Sequence, residues 1–350
     1  MACQPAAEQQ AEAETPATDS LRYEQETHLA NIRQLTFGGD NAEAYFSFDG
    51  EYLVLQRTHP AEGIPCDQIY VGKIPQSPEE SFDMQLVSTG TGRTTCSYFY
   101  PSGDTIIFAS THLASEDCPP VPDRNEVKRY VWPIFESFDI FLSDREGNVL
   151  AQLTDNPGYD AEATLSPKGD KIVFTSTRNG DLDLYTMNLD GSDVQQVTDQ
   201  LGYDGGAFFS PDGEYLVFRA SRPQTEAEIE DYTSLLAQGL VAPSNMELYV
   251  CKVDGSELRK ITDLGNANWA PFFHPSGEKI IFSSNHASGG RTFNLFMINV
   301  DGTGLEQITH DREFDAFPMF SPDGSKLVFA SNRNNGGTRE TNVFIADWVE

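Results

Sequence analysis

"YDAEATLSPKGDKIVFTSTRNGDLDLYTMNLDGS" occupies Tyr159 to Ser192, and close copies of it recur along the chain. Six copies align on one turn: "SFDG" at Ser47, "YPSG" at Tyr100, "SPKG" at Ser166, "SPDG" at Ser210, "HPSG" at His274 and "SPDG" at Ser321. Pro supplies a fixed φ and Gly a permissive one, which a tight hairpin needs. After each turn comes a β-rich run such as "DKIVFTS", "EYLVFRA" or "EKIIFSS", then a third strand such as "DLYTMNLDG" or "NLFMINVDG". Before each turn stands a short strand ending in Thr or Ser, such as "AQLT", "QQVT" or "RKIT". The unit is therefore four strands, repeated about every 45 residues, which reads as a propeller blade. Six units predict an all-β, six-bladed β-propeller with four antiparallel strands per blade. The last copy stops at its third strand, "NVFIADWV" (Asn342 to Val349), while the first is preceded by an extra "HLANIRQLT" (His28 to Thr36). The N-terminal strand is thus expected to complete the sixth blade and close the ring.

Composition agrees with a folded body and excludes some partners. The chain has 350 residues, 39% of them apolar, and a formal charge of −31 from 23 Lys plus Arg against 54 Asp plus Glu. Such a balance argues against nucleic acid, whose phosphates need a basic stripe. No run of 18 apolar residues is present, so no membrane-spanning helix is predicted.

Residues 1–27 differ from the rest: "CQPAAEQQAEAETPATDS" (Cys3 to Ser20) has no bulky apolar residue and reads as a disordered tether. A Cys at position 3 followed by such a tether resembles a processed bacterial lipoprotein, with Cys3 as the lipid-bearing residue. The plainer reading is an ordinary disordered N-terminus, and the sequence leaves both open. Residues 28–350 form the propeller.

The combination of "LT", "SPDG", "IVFTSTRNG" and "LYTMNLDG" resembles the TolB-like six-bladed propellers, WD-repeat-like blades of bacterial envelope proteins, over residues 28–350. That resemblance implies a periplasmic or envelope location and a partner-binding role. TolB itself carries a further N-terminal domain and works with the Tol-Pal system, whereas here a tether stands in that place.

If the blades are constant, function is sought where they diverge. The residue following the second strand is basic or can become so in every copy: His59, His112, Arg178, Arg222, His286 and Arg333. The column opposite it reads Asn41, Thr94, Asp160, Asp204, Asn268 and Asp315. Arg always meets Asp, so Arg178–Asp160, Arg222–Asp204 and Arg333–Asp315 are expected to be structural pairs. His59, His112 and His286 face neutral residues and are candidate binding groups. A metal bridging His112 and His286 is rejected, because blades two and five lie across the ring from each other and zinc needs ligands at roughly 2 Å. There is no G-x-S-x-G elbow.

Two insertions follow second strands and are expected to roof one face. "LASEDCPPVPDRNEVKRYVWPIFES" (Leu113 to Ser137) gathers Arg124, Lys128, Arg129, Tyr130 and Trp132, to which Arg93 and His112 add positive or ionisable groups. Aromatic residues beside cations suit an interface with an acidic segment or anionic glycan. "TEAEIEDYTSLLAQGL" (Thr225 to Leu240) reads as a capped amphipathic helix burying Ile229, Tyr232, Leu236 and Leu240. Of five cysteines, Cys66, Cys96 and Cys118 share one sector; Cys66–Cys118 is the preferred disulfide, although spacing alone does not assign it.

The resulting expectation is a monomeric, non-catalytic envelope propeller that binds a protein, peptide or anionic glycan on its inserted face, with no cofactor implied. Two alternatives stand beside it. One is a polysaccharide lyase or hydrolase using His and acids such as Glu43 and Glu162 near the channel mouth, and the other is a structural scaffold subunit.

Overall fold

The computed structural model describes residues 20–122 and 127–350. Six four-stranded antiparallel sheets are arranged in chain order as blades. Their inner strands are Asp40–Phe46, Thr94–Phe99, Asp160–Leu165, Asp204–Phe209, Asn268–Phe273 and Asp315–Phe320. The sixth blade runs, from inside to outside, Asp315–Phe320, Lys326–Ser331, Asn342–Trp348 and Leu29–Gln34. In that outermost pairing Leu29 faces Trp348 and Gln34 faces Phe344. N-terminal and C-terminal strands thus share one sheet, which leaves no open seam in the ring.

The repeated words of the sequence each have a bond to make. Thr or Ser at the end of the outer strand accepts a hydrogen bond from the backbone of the third strand at 2.8–3.0 Å in all six blades. The donors are Ile69, Ile140, Leu184, Leu248, Leu295 and Val343, and the acceptors are Ser88, Thr154, Thr198, Thr262, Thr309 and Thr36. The same hydroxyls reach the polar residue preceding each donor, as Thr262 does with Glu247 at 2.6 Å and Ser88 with Gln68 at 2.8 Å. An N–H of the third strand that lies beyond the end of the short outer strand is thereby satisfied. In the "SPDG" turn, Ser210 Oγ donates to Asp212 at 2.5 Å and accepts from Tyr215 N at 2.9 Å, while Gly213 adopts φ +67°.

Continuous apolar runs in the second and third strands are buried on both sheet faces between neighbouring blades. Phe108, Phe174, Phe218, Phe282 and Phe329 are fully buried at matching positions of blades 2 to 6, and Leu55 takes that place in blade 1. Residues 20–27, which composition groups with the N-terminal stretch, are bound to blade 6. Glu26 is fully buried, accepts two hydrogen bonds from Arg333 (3.0 and 3.1 Å) and one from His310 N (3.0 Å), and Tyr23 donates to Asp311 at 2.8 Å. Polar residues in that stretch are held by charge pairing, a signal composition does not carry. Cys3 lies outside the described residues.

Candidate functional site: the roofed face and the channel beneath it

The two insertions meet. Trp132–Pro133 pairs antiparallel with Leu240–Val241, with Leu240 opposite Pro133, and Ile134 N donates to Gly239 O at 2.7 Å. A bidentate pair from Arg129 to Asp231 (2.8 and 2.9 Å) adds a second clasp. The helix spans Glu226–Leu236; Thr225 accepts from Glu228 N at 3.2 Å, and Glu228 accepts from Thr225 N at 3.0 Å. Its buried residues are Tyr232 and Leu235, whereas Ile229 is 36% exposed and Leu240 belongs to the small sheet. The expected apolar face is therefore rotated, because the Tyr232 hydroxyl donates to Asp181 of blade 3 and that bond fixes which side faces the disc. A disulfide joins Cys66 to Cys118 with Cα atoms 6.0 Å apart, fastening the start of the blade-2 insertion to blade 1. Between the insertions lies an open groove of about 530 Å³ lined by Pro120, Val121, Pro122, Pro133, Phe135 and Leu240 among others.

Around the rim, each basic residue lies two positions past the register partner of the opposing column, as Asp160 pairs with Ser176 and Arg178 follows. Arg178 donates to both Asp160 oxygens at 3.0 Å and through Nε to Ser176 at 2.9 Å, above the Tyr185 ring. Arg333 repeats this with Asp315 (2.9 Å) and Ser331 (3.1 Å) and adds Glu26. Arg222 lies 2.5 Å from Asp204 as an ion pair, but its hydrogen bonds go to Gln200 (3.2 Å) and Ser221 O (2.7 Å).

His112 and His286 imitate the arginines. Their Nδ1 atoms bond Ser110 and Ser284 at 2.9 Å, and their rings lie 4.4 Å from Phe141 and 4.5 Å from Phe296. Burial pushes both imidazoles below their ordinary pKa, so they are neutral near pH 7. His59 departs from the expectation of no acidic partner: Glu62, three residues on, lies 3.0 Å from its Nδ1, and Arg57 lies 3.1 Å away. The partner comes from the following turn, which strand register does not reveal.

The basic sector read from the insertion is not a cluster of free charge. Arg93 is bound to Asp67, and Arg129 to Asp231. Lys128 is exposed with φ 57°, and Arg124 lies outside the described residues. Trp132 Nε1 donates to Tyr130 Oη at 3.0 Å. The Trp132 ring points down instead of out: it packs over the Arg219 guanidinium (5.3 Å) and edge-on to Tyr203 (6.4 Å) and Trp269 (6.1 Å).

Below it, each inner strand has a register shift, and the bulge residue has positive φ: Glu43 (50°), Cys96 (45°), Glu162 (60°), Gly206 (58°), Ala270 (51°) and Phe317 (53°). The bulge turns these side chains toward the axis. Blades 1 to 3 contribute acid, thiol and acid, while blades 4 to 6 contribute small and apolar groups. Glu162 accepts from Tyr203 Oη (2.5 Å), Arg219 (2.6 Å), Gly206 N (2.7 Å) and Thr175 (2.9 Å), which hold its carboxyl below the usual range despite burial. A Cβ on Gly206 would sit 1.9 Å from Arg219 Nη1, so only glycine leaves room for that guanidinium. Glu43 accepts from the Cys96 thiol; burial first, and then the Glu162 charge, push its carboxyl up to about 7. Arg219, Tyr203, Trp269 and Phe317 were missed from the sequence, and Cys96 was noted only as one of three cysteines sharing a sector. A column two residues past Asn41, Thr94, Asp160, Asp204, Asn268 and Asp315 would have found the ring. Among the described residues, no group of three or more His, Cys, Asp or Glu is arranged to hold a metal ion.

These features define the class: a six-bladed β-propeller with one face roofed by paired insertions over a channel that is acidic on one side and aromatic on the other. The chain belongs to the TolB beta propeller domain family, whose model matches residues 134–236 and 241–339. No curated protein matches the chain. Among solved structures, a protein described as TolB from Agrobacterium tumefaciens is 20% identical (TM-score 0.59, 91% of this chain and 97% of that one). TolB from Acinetobacter baumannii is 17% identical (TM-score 0.52, 88% of this chain and 63% of that one). An oligogalacturonate lyase in complex with manganese is 15% identical (TM-score 0.52, 91% and 80%). Proteins described as TolB and an oligogalacturonate lyase thus share this fold.

Proposed function

We propose that this protein is a cell-envelope propeller that binds a segment of another protein on its roofed face. The observation carrying this reading is the clasp between the insertions, which builds a proline- and apolar-lined groove that the plain repeat would lack. Exposed Leu113 (64%), Val121 (60%) and Tyr130 (60%) belong to the same insertion, and apolar residues gathered on one exposed element mark a contact surface. The helix beside the groove carries Glu226 and Glu230 in addition to the capping Glu228 and the Arg129-bound Asp231, so a basic, extended segment is the complementary partner. An anionic glycan loses support because Arg93 and Arg129 are already paired. The TolB likeness supports the envelope location; a lipid on Cys3 would tether the disc by the N-terminal stretch latched to blade 6.

The test places a photo-crosslinking residue at position 121 in cells of a producing strain, with position 149, on the outer strand of blade 2, as control. A protein adduct at 121 that is absent at 149 and weakened by replacing Glu226 and Glu230 with Lys supports the reading. Equal adducts at both positions, or indifference to the charge reversal, sink it. The lyase or hydrolase alternative draws on the burial that pushes the Glu43 carboxyl up to about 7, and a screen of acidic oligosaccharides for Glu43-dependent cleavage tests it.

A further inference from the structure

The groove between the insertions is not wholly apolar, and the polar groups in its wall are of one kind. Pro120, Val121, Pro122, Pro133 and Leu240 supply its apolar surface together with Phe135, and between them stand Glu136, Ser137 and Gln238. Phe138 N donates to Phe135 O at 3.0 Å, so Glu136 and Ser137 are the corner residues of a turn, where a side chain projects from the wall. Glu136 is exposed, and among the described residues it has neither an ion pair nor a hydrogen bond. Gln238 Nε2 donates to Ser234 O at 2.7 Å and reaches its Oγ at 3.5 Å, which leaves this amide only its carbonyl oxygen to offer. No Lys, Arg or His lines the groove among the described residues. Phe135 is half-buried against Phe138, ring centroids 6.0 Å apart, and no described cation lies over its ring.

Resting on the reading of the groove as a docking site, we propose that it takes an arginine side chain of the partner, the guanidinium on the Glu136 carboxylate and the carbon stem against Phe135 and the proline wall. What the wall has left is a carboxylate, an amide oxygen and a hydroxyl, so the complementary group is a donor. A guanidinium presents several N–H groups in a planar fork that matches a carboxylate, and its flat face also stacks on an aromatic ring. Lysine fits less well, because its ammonium is a more strongly hydrated point charge. A wholly apolar segment would cover the Glu136 carboxylate without supplying a counter-charge, and that cost selects against it. Glu226 and Glu230 of the neighbouring helix steer a basic segment through their field, whereas Glu136 recognises one side chain by contact.

The experiment selects random peptides displayed on phage against the whole protein. The winning sequence is then synthesised with arginine and with citrulline, its uncharged isostere, and both forms are titrated by fluorescence anisotropy. The expected winner carries arginine beside an apolar residue and is captured by a photo-crosslinking residue at position 121. Its citrulline form should bind about five- to tenfold more weakly. In Glu136→Gln that ratio should fall close to one while the melting curve stays unchanged. Should this variant not fold, the ratio on the wild type decides. Peptides captured at position 121 that lack arginine, a citrulline form that binds equally well, or a ratio that survives Glu136→Gln each overturns the arginine assignment and leaves the groove standing. Winners that are not captured at position 121, or a selection without winners, overturn the docking reading and the assignment with it.

Discussion

Trp132 stands edge-on to Trp269 with ring centroids 6.1 Å apart, although one belongs to the blade-2 insertion and the other to the inner strand of blade 5. The insertion therefore spans the channel and is held at its far end by the opposite side of the ring. Edge-to-face pairs contribute about 0.5–1.5 kcal/mol beyond their burial. Trp132→Ala is expected to cost about 2 kcal/mol and to raise hydrogen exchange at Ile134 and Val241 more than in the blades. Unchanged exchange there would show that the roof is held without Trp132.

Arg178→Ala leaves Asp160 buried without its counter-charge. A loss of about 2–3 kcal/mol is expected by denaturant unfolding. His112→Ala removes only a neutral ring stacked on Phe141 and one bond to Ser110, so about 0.5–1 kcal/mol is expected. Equal costs would mean that the two residue types do the same work in the rim.

Deleting residues 28–36 exposes the edge of Asn342–Trp348. Aggregation, or loss of a single cooperative melting transition, is expected. Glu26→Ala is milder, because Arg333 keeps Asp315; about 1–3 kcal/mol is expected. A melting curve unchanged by the deletion would rule out closure by the N-terminal strand.

Glu43 carries a pH signature. Its carboxyl is raised from 4.5 to about 7 in the folded chain, chiefly by burial. The folded state therefore holds this proton more tightly than the unfolded one, and the contribution, full below pH about 4.5, is lost as pH rises through about 7. Glu43→Gln should be about 1–2 kcal/mol more stable than wild type at pH about 8, with the gap closing by pH about 5. A gap of the same size at both pH values would contradict the shift.

Reduction of Cys66–Cys118 releases the start of the roof from blade 1. The expected result is protease cleavage within residues 113–122 at reductant levels that leave the blades intact, read by mass spectrometry of the fragments. Cleavage spread evenly over the blades would show that the bond supports the disc instead.

How much was legible can be judged residue by residue. Arg178 and Asp160 were readable because an ion pair appears in both columns of the repeat. His112 stood out in the column by its missing Asp, but the column did not show Phe141, which sits on another strand and packs against its ring. Arg129 looked like part of a ligand patch until the helix of blade 4 brought Asp231 to it. The Glu43–Cys96–Glu162 arc was half legible: both acids were noted near the channel, but their relation to Cys96, Arg219 and Phe317 was not.

The blade, the number of blades and the expected closing strand are legible along the chain, because the Pro-Gly turn, the β-rich run after it and the spacing of the copies are each local. What the insertions and channel became depends on contacts between segments far apart in sequence. The bulge that aims Glu43 and Phe317 at the axis, the strand pairing of Trp132 with Val241, and the cancelling of Arg93 and Arg129 by Asp67 and Asp231 join residues from different blades or insertions. Contacts between distant segments follow from how the ring brings them together in space, and no periodicity along the chain encodes that distance.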